Sequence, residues 1–143
     1  MHISKVEIYN FRSHKSIIVE LSTTNILVGQ NNSGKTVFLE AISYALNTKN
    51  GTPSEDDFYA NKENFNPKTS YPIKVILEFR ESKDERFSEN VIYKFDTVIR
   101  YDKEIYSEDP IKFIRLCYEY KFDAKRDRYV EERYFVDEKD TIP

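Results

Sequence analysis

Eight consecutive residues, Gly29-Gln30-Asn31-Asn32-Ser33-Gly34-Lys35-Thr36, complete the pattern G-x-x-x-x-G-K-[ST]. They stand between an apolar run, Asn25-Ile26-Leu27-Val28, and a segment whose apolar residues recur at helical spacing. That order asks for a strand, a tight loop and a helix. A loop of this kind turns several backbone N–H groups onto one anion, and the chemistry it suits is a nucleoside triphosphate with a divalent metal. Gly29 and Gly34 allow the curl, and the main-chain N–H groups of Gln30, Asn31, Asn32 and Ser33 line the cradle. Lys35 reaches the β- and γ-phosphates, and the hydroxyl of Thr36 is the Mg²⁺ ligand. ATP and Mg²⁺ are the expected cofactors. The chain has three glycines where average usage would give about ten, and two of the three hold the required loop positions.

The flanking pattern extends this core. Residues 2 to 11 alternate, with Val6 and Ile8 toward one face and Ile3, Tyr9 and Phe11 toward the other, as in a half-buried strand. Arg12 to Lys15 make a turn, and Ile17, Ile18, Val19 and Leu21 a second strand. The run 25–28 reads as a central strand buried on both faces. From Lys35 to about Leu46, Phe38, Ala41, Ile42, Ala45 and Leu46 form one helical stripe, widened by Val37, Leu39 and Tyr44. The helix's positive N-terminal end would then face the phosphates, and the stretch from Asn47 to Pro53 would end it.

Residues 54 to 72 are polar and read as a connecting loop. Alternation then predicts strands over 73–80, 90–101 (Val91, Tyr93 and Phe95), 113–122 and 129–136. The expected fold class is α/β of the phosphate-loop type: one nucleotide helix joined to a mainly antiparallel sheet.

With 143 residues, a formal net charge of −3 and one cysteine, the chain has no overall pull toward nucleic acid and no internal disulfide. No apolar run approaches bilayer length, so a cytoplasmic protein with no membrane contact is expected.

Several look-alike motifs have simpler readings. Tyr134-Phe135-Val136-Asp137-Glu138 imitates a strand ending in a Mg²⁺-holding Asp-Glu pair, but Arg133 interrupts its apolar run. Asn61-Lys62-Glu63-Asn64 lacks the carboxylate that would read guanine. Asp56 and Asp57 could take a metal, or simply be solvated. Lys121, Lys125, Arg126, Arg128 and Arg133 alternate with tyrosines but are diluted by Asp123, Asp127, Glu131 and Glu132, which favours a solvated hairpin. Cys117, with only His2 and His14 in the chain, has the character of a small strand residue.

Val6-Glu7-Ile8-Tyr9-Asn10-Phe11-Arg12-Ser13-His14, then Asn25 to Thr36 and Phe38-Leu39-Glu40-Ala41-Ile42, resemble the N-terminal lobe of the ABC-type ATPases of the SMC, RecF and OLD group. The Asn31-Asn32 pair and Asp56-Asp57-Phe58-Tyr59 look most like the OLD branch. The resemblance implies a two-lobed ATPase head that dimerises and couples ATP to DNA transactions. In the OLD branch it also implies an added Toprim nuclease domain and roles in defence against phage. It places Arg12 close to the bound nucleotide. An ABC-type head also needs a glutamine loop, a Ser-Gly-Gly signature and an Asp-Glu pair. Gln30 is the only glutamine and no Gly-Gly occurs. Residues 1–143 are therefore expected to form the N-terminal lobe of an ATPase domain whose remainder lies outside this chain, with no confident catalytic residue inside it. The rival expectation is a nucleotide-sensing or DNA-binding module that does not hydrolyse.

Overall fold

A computed structural model of the chain describes residues 2–21, 34–48, 51–60, 62–102 and 108–136. The run 25–28 and the loop residues Gly29 to Ser33 lie outside the described residues, as do Asp137 and Glu138. Among the described residues the elements are β1 (His2–Phe11), β2 (His14–Glu20), α1 (Gly34–Ala45), 3-10 turns at Glu55–Asp57 and Pro67–Thr69, β3 (Ile73–Arg80), α2 (Glu89–Phe95), β4 (Arg100–Tyr101), β5 (Lys112–Asp123) and β6 (Arg128–Phe135). All described strand pairs are antiparallel, in the order β2-β1-β3-β5. The far edge of β5 is shared: β4 pairs with Lys112 and Phe113, and β6 with Leu116 through Asp123.

The alternation of β1 holds only in its middle. Val6 and Ile8 are fully buried on the face that receives α1, but Ile3 and Phe11 join them instead of Tyr9. Two local features overturn the expected phase. A bulge between Ile3 and Lys5 shifts the register against β3, and Asn10 adopts a left-handed conformation (φ 57°) that turns the next side chain over.

Helix α1 lies across β1, β3 and β5 and buries Phe38, Ala41, Tyr44 and Ala45. The Tyr44 ring stacks on Tyr118 (centroids 6.4 Å, planes 8° apart) and meets Phe11 edge-on. Its end is written locally. Asn47, with φ 57°, donates its N–H to the Tyr44 carbonyl and Thr48 donates to the Ser43 carbonyl, a left-handed helix stop. Arg133 of β6 adds a second anchor, donating to the carbonyls of Tyr44 (2.7 Å) and Ala45 (3.2 Å) with its guanidinium over the Tyr118 ring. A cation at a helix C-terminus meets its partial negative charge.

The segment expected to be a strand over 90–101 is mostly helical. Ser88 caps α2, its hydroxyl accepting from the Val91 N–H, with Glu89 in the first turn and Lys94 in the last. The inward residues are Val91, Ile92 and Phe95, while Tyr93 is 86% exposed, so the spacing is i, i+1, i+4 rather than two. Only Arg100 and Tyr101 pair as strand.

Glu81, just past β3, is 2% exposed yet well satisfied. Its carboxylate accepts from the N–H groups of Phe87 (2.8 Å) and Lys112 (3.0 Å) and from Arg86. Burial alone would raise its pKa, but these hydrogen bonds and the Lys112 charge outweigh burial and hold it below the usual carboxylate value of 4.5. A depressed carboxylate stabilises the fold above its unfolded pKa, and that stability is lost as pH falls through the lower folded value. Glu119, also held low, adds in the same direction. Glu81→Gln is expected to cost about 2 kcal/mol at neutral pH. The gap in melting temperature between variant and parent should narrow as the pH falls below 4.5 and close as it passes the lower folded value, measured by thermal denaturation across a pH series.

Candidate nucleotide site

The described part of the phosphate-loop pattern is its helical end. Gly34 and Lys35 open α1, and Thr36 follows in the first turn, exposed. No acidic residue occupies that turn. A helix start without carboxylates keeps its partial positive charge uncancelled by its own first turn, which suits a triphosphate with its metal.

Arg12 stands beside this helix. The chain reverses at Arg12 and Ser13 between Phe11 and His14, and Arg12 takes φ 53°, as the first position of a primed two-residue hairpin turn does. This is a strained conformation for a residue with a side chain, and contacts on both sides hold it. The Arg12 N–H donates to the Asp57 carbonyl (2.6 Å), and Nε donates to Asp57 Oδ1 (3.0 Å). Nη2 forms an ion pair with Glu40 of α1, and the guanidinium lies over the Phe11 ring. Burial pulls the Arg12 pKa down, but Asp57 and Glu40 more than reverse it, so the group stays charged. Glu40 is four residues past Thr36, hence on the same side of α1 about one turn along, roughly 6 Å of axial rise. Arg12 thus links the β1–β2 turn to the middle of α1.

Asp57 is held from its own side as well, its Oδ2 accepting from the Ser54 N–H at 2.8 Å. Asp57 is thus engaged with Arg12 and the Ser54 N–H, and no group of three or more metal-ligating side chains occurs among the described residues. Phe58 next to it is buried, bridges to Phe11 and packs on Tyr120 and Tyr129. The segment 55–59 is therefore a strut rather than a free loop.

The basic residues of the β5–β6 hairpin are not gathered into a patch. Arg133 is committed to α1, Lys121 pairs with Glu119 and Glu132, Arg126 pairs with Asp123, and Tyr118 and Tyr120 are buried. Arg133 is thereby tied to the helix while the hairpin strand that carries it stays largely exposed. Cys117 is buried beside Tyr134, and burial pushes its thiol up. The roles of Glu40, Asp57 and Arg133 were not assigned from sequence. Only the spacing of Glu40 from Thr36 offered a signal.

Compared with known proteins, the sequence matches the AAA ATPase domain family over residues 1–142. The chain belongs to that family. Membership implies nucleotide binding, and the mainly antiparallel sheet with few helices fits an α/β phosphate-loop fold. The AAA ATPase domain is also similar to the DNA replication and repair protein RecF of Clostridium beijerinckii, with 35% identity over 65 residues, 45% of this chain and 18% of that protein. It is 45% identical over 47 residues to the DNA double-strand break repair Rad50 ATPase of Pyrococcus abyssi, 32% of this chain and 5% of that protein. With RecF of Clostridium botulinum it shares 42% over 57 residues, 39% of this chain and 16% of that protein. These likenesses support an ABC-type ATPase of the RecF and SMC group. The matched stretches span less than a fifth of the length of these relatives. No described helix is long and apolar enough to cross a membrane.

Proposed function

We propose that this chain is the ATP-binding N-terminal lobe of a RecF- and Rad50-like ATPase that couples ATP binding and hydrolysis to DNA processing as a dimer. The observation that carries the reading is α1, which starts at Gly34-Lys35-Thr36 with no carboxylate in its first turn and is tied at its middle to the β1–β2 turn and at its C-terminal end to β6. The main-chain N–H groups of Gln30 to Thr36 cradle the phosphates, with Gly29 and Gly34 permitting the curl. Lys35 neutralises the β- and γ-phosphates, and Thr36 holds Mg²⁺. Bound ATP supplies the hydrolysable anhydride, and the metal supplies countercharge. Arg12, one turn below Thr36 on the helix flank, is the nearby cation and keeps α1 in register with the β1–β2 turn. Within the group we read the chain as nearest the OLD branch, on the Asn31-Asn32 pair and the segment 56–59. A Toprim nuclease domain or partner and a role in phage defence go with that reading.

Equilibrium dialysis tests it. The chain should retain ATP in Mg²⁺, lose most of the retention in chelator, and prefer ATP to GTP. Lys35→Ala should weaken retention by about 10- to 100-fold, the scale of a charged hydrogen-bonding partner, and Thr36→Ala should remove most of the metal dependence. Undiminished retention by Lys35→Ala would contradict the assignment.

A further inference from the structure

The connection between α1 and β3 encloses a hollow that the nucleotide reading does not use. A cavity of about 690 Å³ lies between the β1–β2 hairpin and residues 59–72, and a second of about 310 Å³ adjoins it. Asn10, Lys15, Tyr71 and Pro72 line both, so the two hollows meet at these residues. The walls are built. The Asn10 side chain donates to the Pro72 carbonyl (3.2 Å), and Tyr59 N–H donates to the Asn10 carbonyl (3.0 Å). Asn66 caps the 3-10 turn by accepting from the Lys68 N–H, and the Ser70 hydroxyl donates to the Pro67 carbonyl.

The lining has a distinct chemistry. The chain has 25 acidic residues against 22 basic, yet no acidic residue lines either hollow among the described residues. Lys74 is spent on Glu119 at 3.1 Å. Lys15 and Lys62 are exposed, and neither has an ion-pair partner among the described residues. Tyr71 is 78% exposed, fixed between Ser70 and Pro72 in a segment with its own hydrogen bonds. An exposed aromatic ring that borders both hollows, two cations without an ion-pair partner among the described residues, and amide groups from Asn64 and Asn66 match what an unpaired polynucleotide offers: flat π-faces, a phosphate string and base edges.

We propose that this groove binds single-stranded nucleic acid, with bases stacked on Tyr71 and the backbone phosphates held by Lys15 and Lys62. The two hollows accommodate successive nucleotides beside the ring. A duplex fits poorly, because its bases are already stacked on each other. The groove needs neither ATP nor Lys35, so its failure and that of the nucleotide reading are separate results.

The test is fluorescence anisotropy of a labelled oligothymidylate titrated with the whole chain at low salt and without nucleotide. Saturable binding is expected. Tyr71→Ala should weaken it by about 5- to 150-fold, the effect of losing one aromatic stacking platform, while Tyr71→Phe should bind like the parent. Each of Lys15→Ala and Lys62→Ala should flatten the slope of log affinity against log salt by about 0.7, the value for one phosphate contact on a single strand. Lys125→Ala, on the β5–β6 turn, should change nothing. A parallel titration with oligouridylate distinguishes DNA from RNA as the source of the strand. Tyr71 lies at the surface, and an unchanged circular dichroism spectrum will show that Tyr71→Ala folds. No binding by the parent chain, equal binding of duplex and single strand, or an unaffected Tyr71→Ala variant would overturn the proposal.

Discussion

Tyr118→Ala is expected to lower the melting temperature by roughly 10 to 20 °C. The side chain is fully buried at the centre of β5, where it stacks on Tyr44 of α1, supports the Arg133 guanidinium at 4.8 Å and donates to Glu131 Oε2 at 2.9 Å. Truncating a buried aromatic to alanine costs about 3–5 kcal/mol through lost burial and the cavity left behind. In a chain of 143 residues each kcal/mol shifts melting by roughly 3–5 °C. Tyr118→Phe separates packing from polarity. It keeps the ring and loses one hydrogen bond, and should cost about 1 kcal/mol. It also leaves Glu131 free to turn outward on the exposed strand β6. A Tyr118→Ala melting point within a few degrees of the parent, by calorimetry, would mean that α1 is not held by this stack.

The connection to function runs through the helix. Tyr118 and Arg133 hold the C-terminal end of α1, and Arg12 with Asp57 holds its flank through Glu40. The helix is thus held at its middle and its C-terminal end, and on the proposed nucleotide reading loss of the stack should loosen nucleotide binding together with stability.

The helix α1 and strands β3, β5 and β6 were legible because their side-chain periods are long and clean, and β1 and β2 because their apolar residues cluster on either side of a polar turn. In 113–122, for instance, Ile114, Leu116, Tyr118, Tyr120 and Phe122 alternate without a break. Helix α2 was not. Over seven residues Val91, Tyr93 and Phe95 satisfy a period of two as well as Val91, Ile92 and Phe95 satisfy a helix, and what decides is the Ser88 cap and the packing of Ile92 in the cluster around Phe87, Ile99 and Ile114. The ends of β1 were misphased because a bulge and one left-handed asparagine carry no apolar signature.

At the candidate site the motif itself was plain in the sequence, while its supports were not. Arg12 was legible only by family resemblance. Its partners Glu40 and Asp57 lie 28 and 45 positions further along the chain, and only the folded hairpin brings them together. Arg133 read as one charge among many in a mixed hairpin, and register alone puts it opposite Tyr118 and under the end of α1.

The second large effect is produced by the nucleotide. A ligand that binds only the folded chain adds about 2.7 kcal/mol at a hundred times its dissociation constant, which for a domain of this size raises melting by roughly 8 to 14 °C. Lys35→Ala removes the positive charge that the phosphate loop sets against the triphosphate and should abolish most of the rise. Lys125→Ala, distant on the β5–β6 turn, serves as the control for general charge loss. The decisive measurement is the melting temperature of the chain with and without saturating Mg·ATP, taken in parallel for the parent, Lys35→Ala and Lys125→Ala. A rise in the parent and in Lys125→Ala, with little or none in Lys35→Ala, is the predicted result. Equal rises in all three, or no rise in the parent, would contradict nucleotide binding at Gly29 to Thr36.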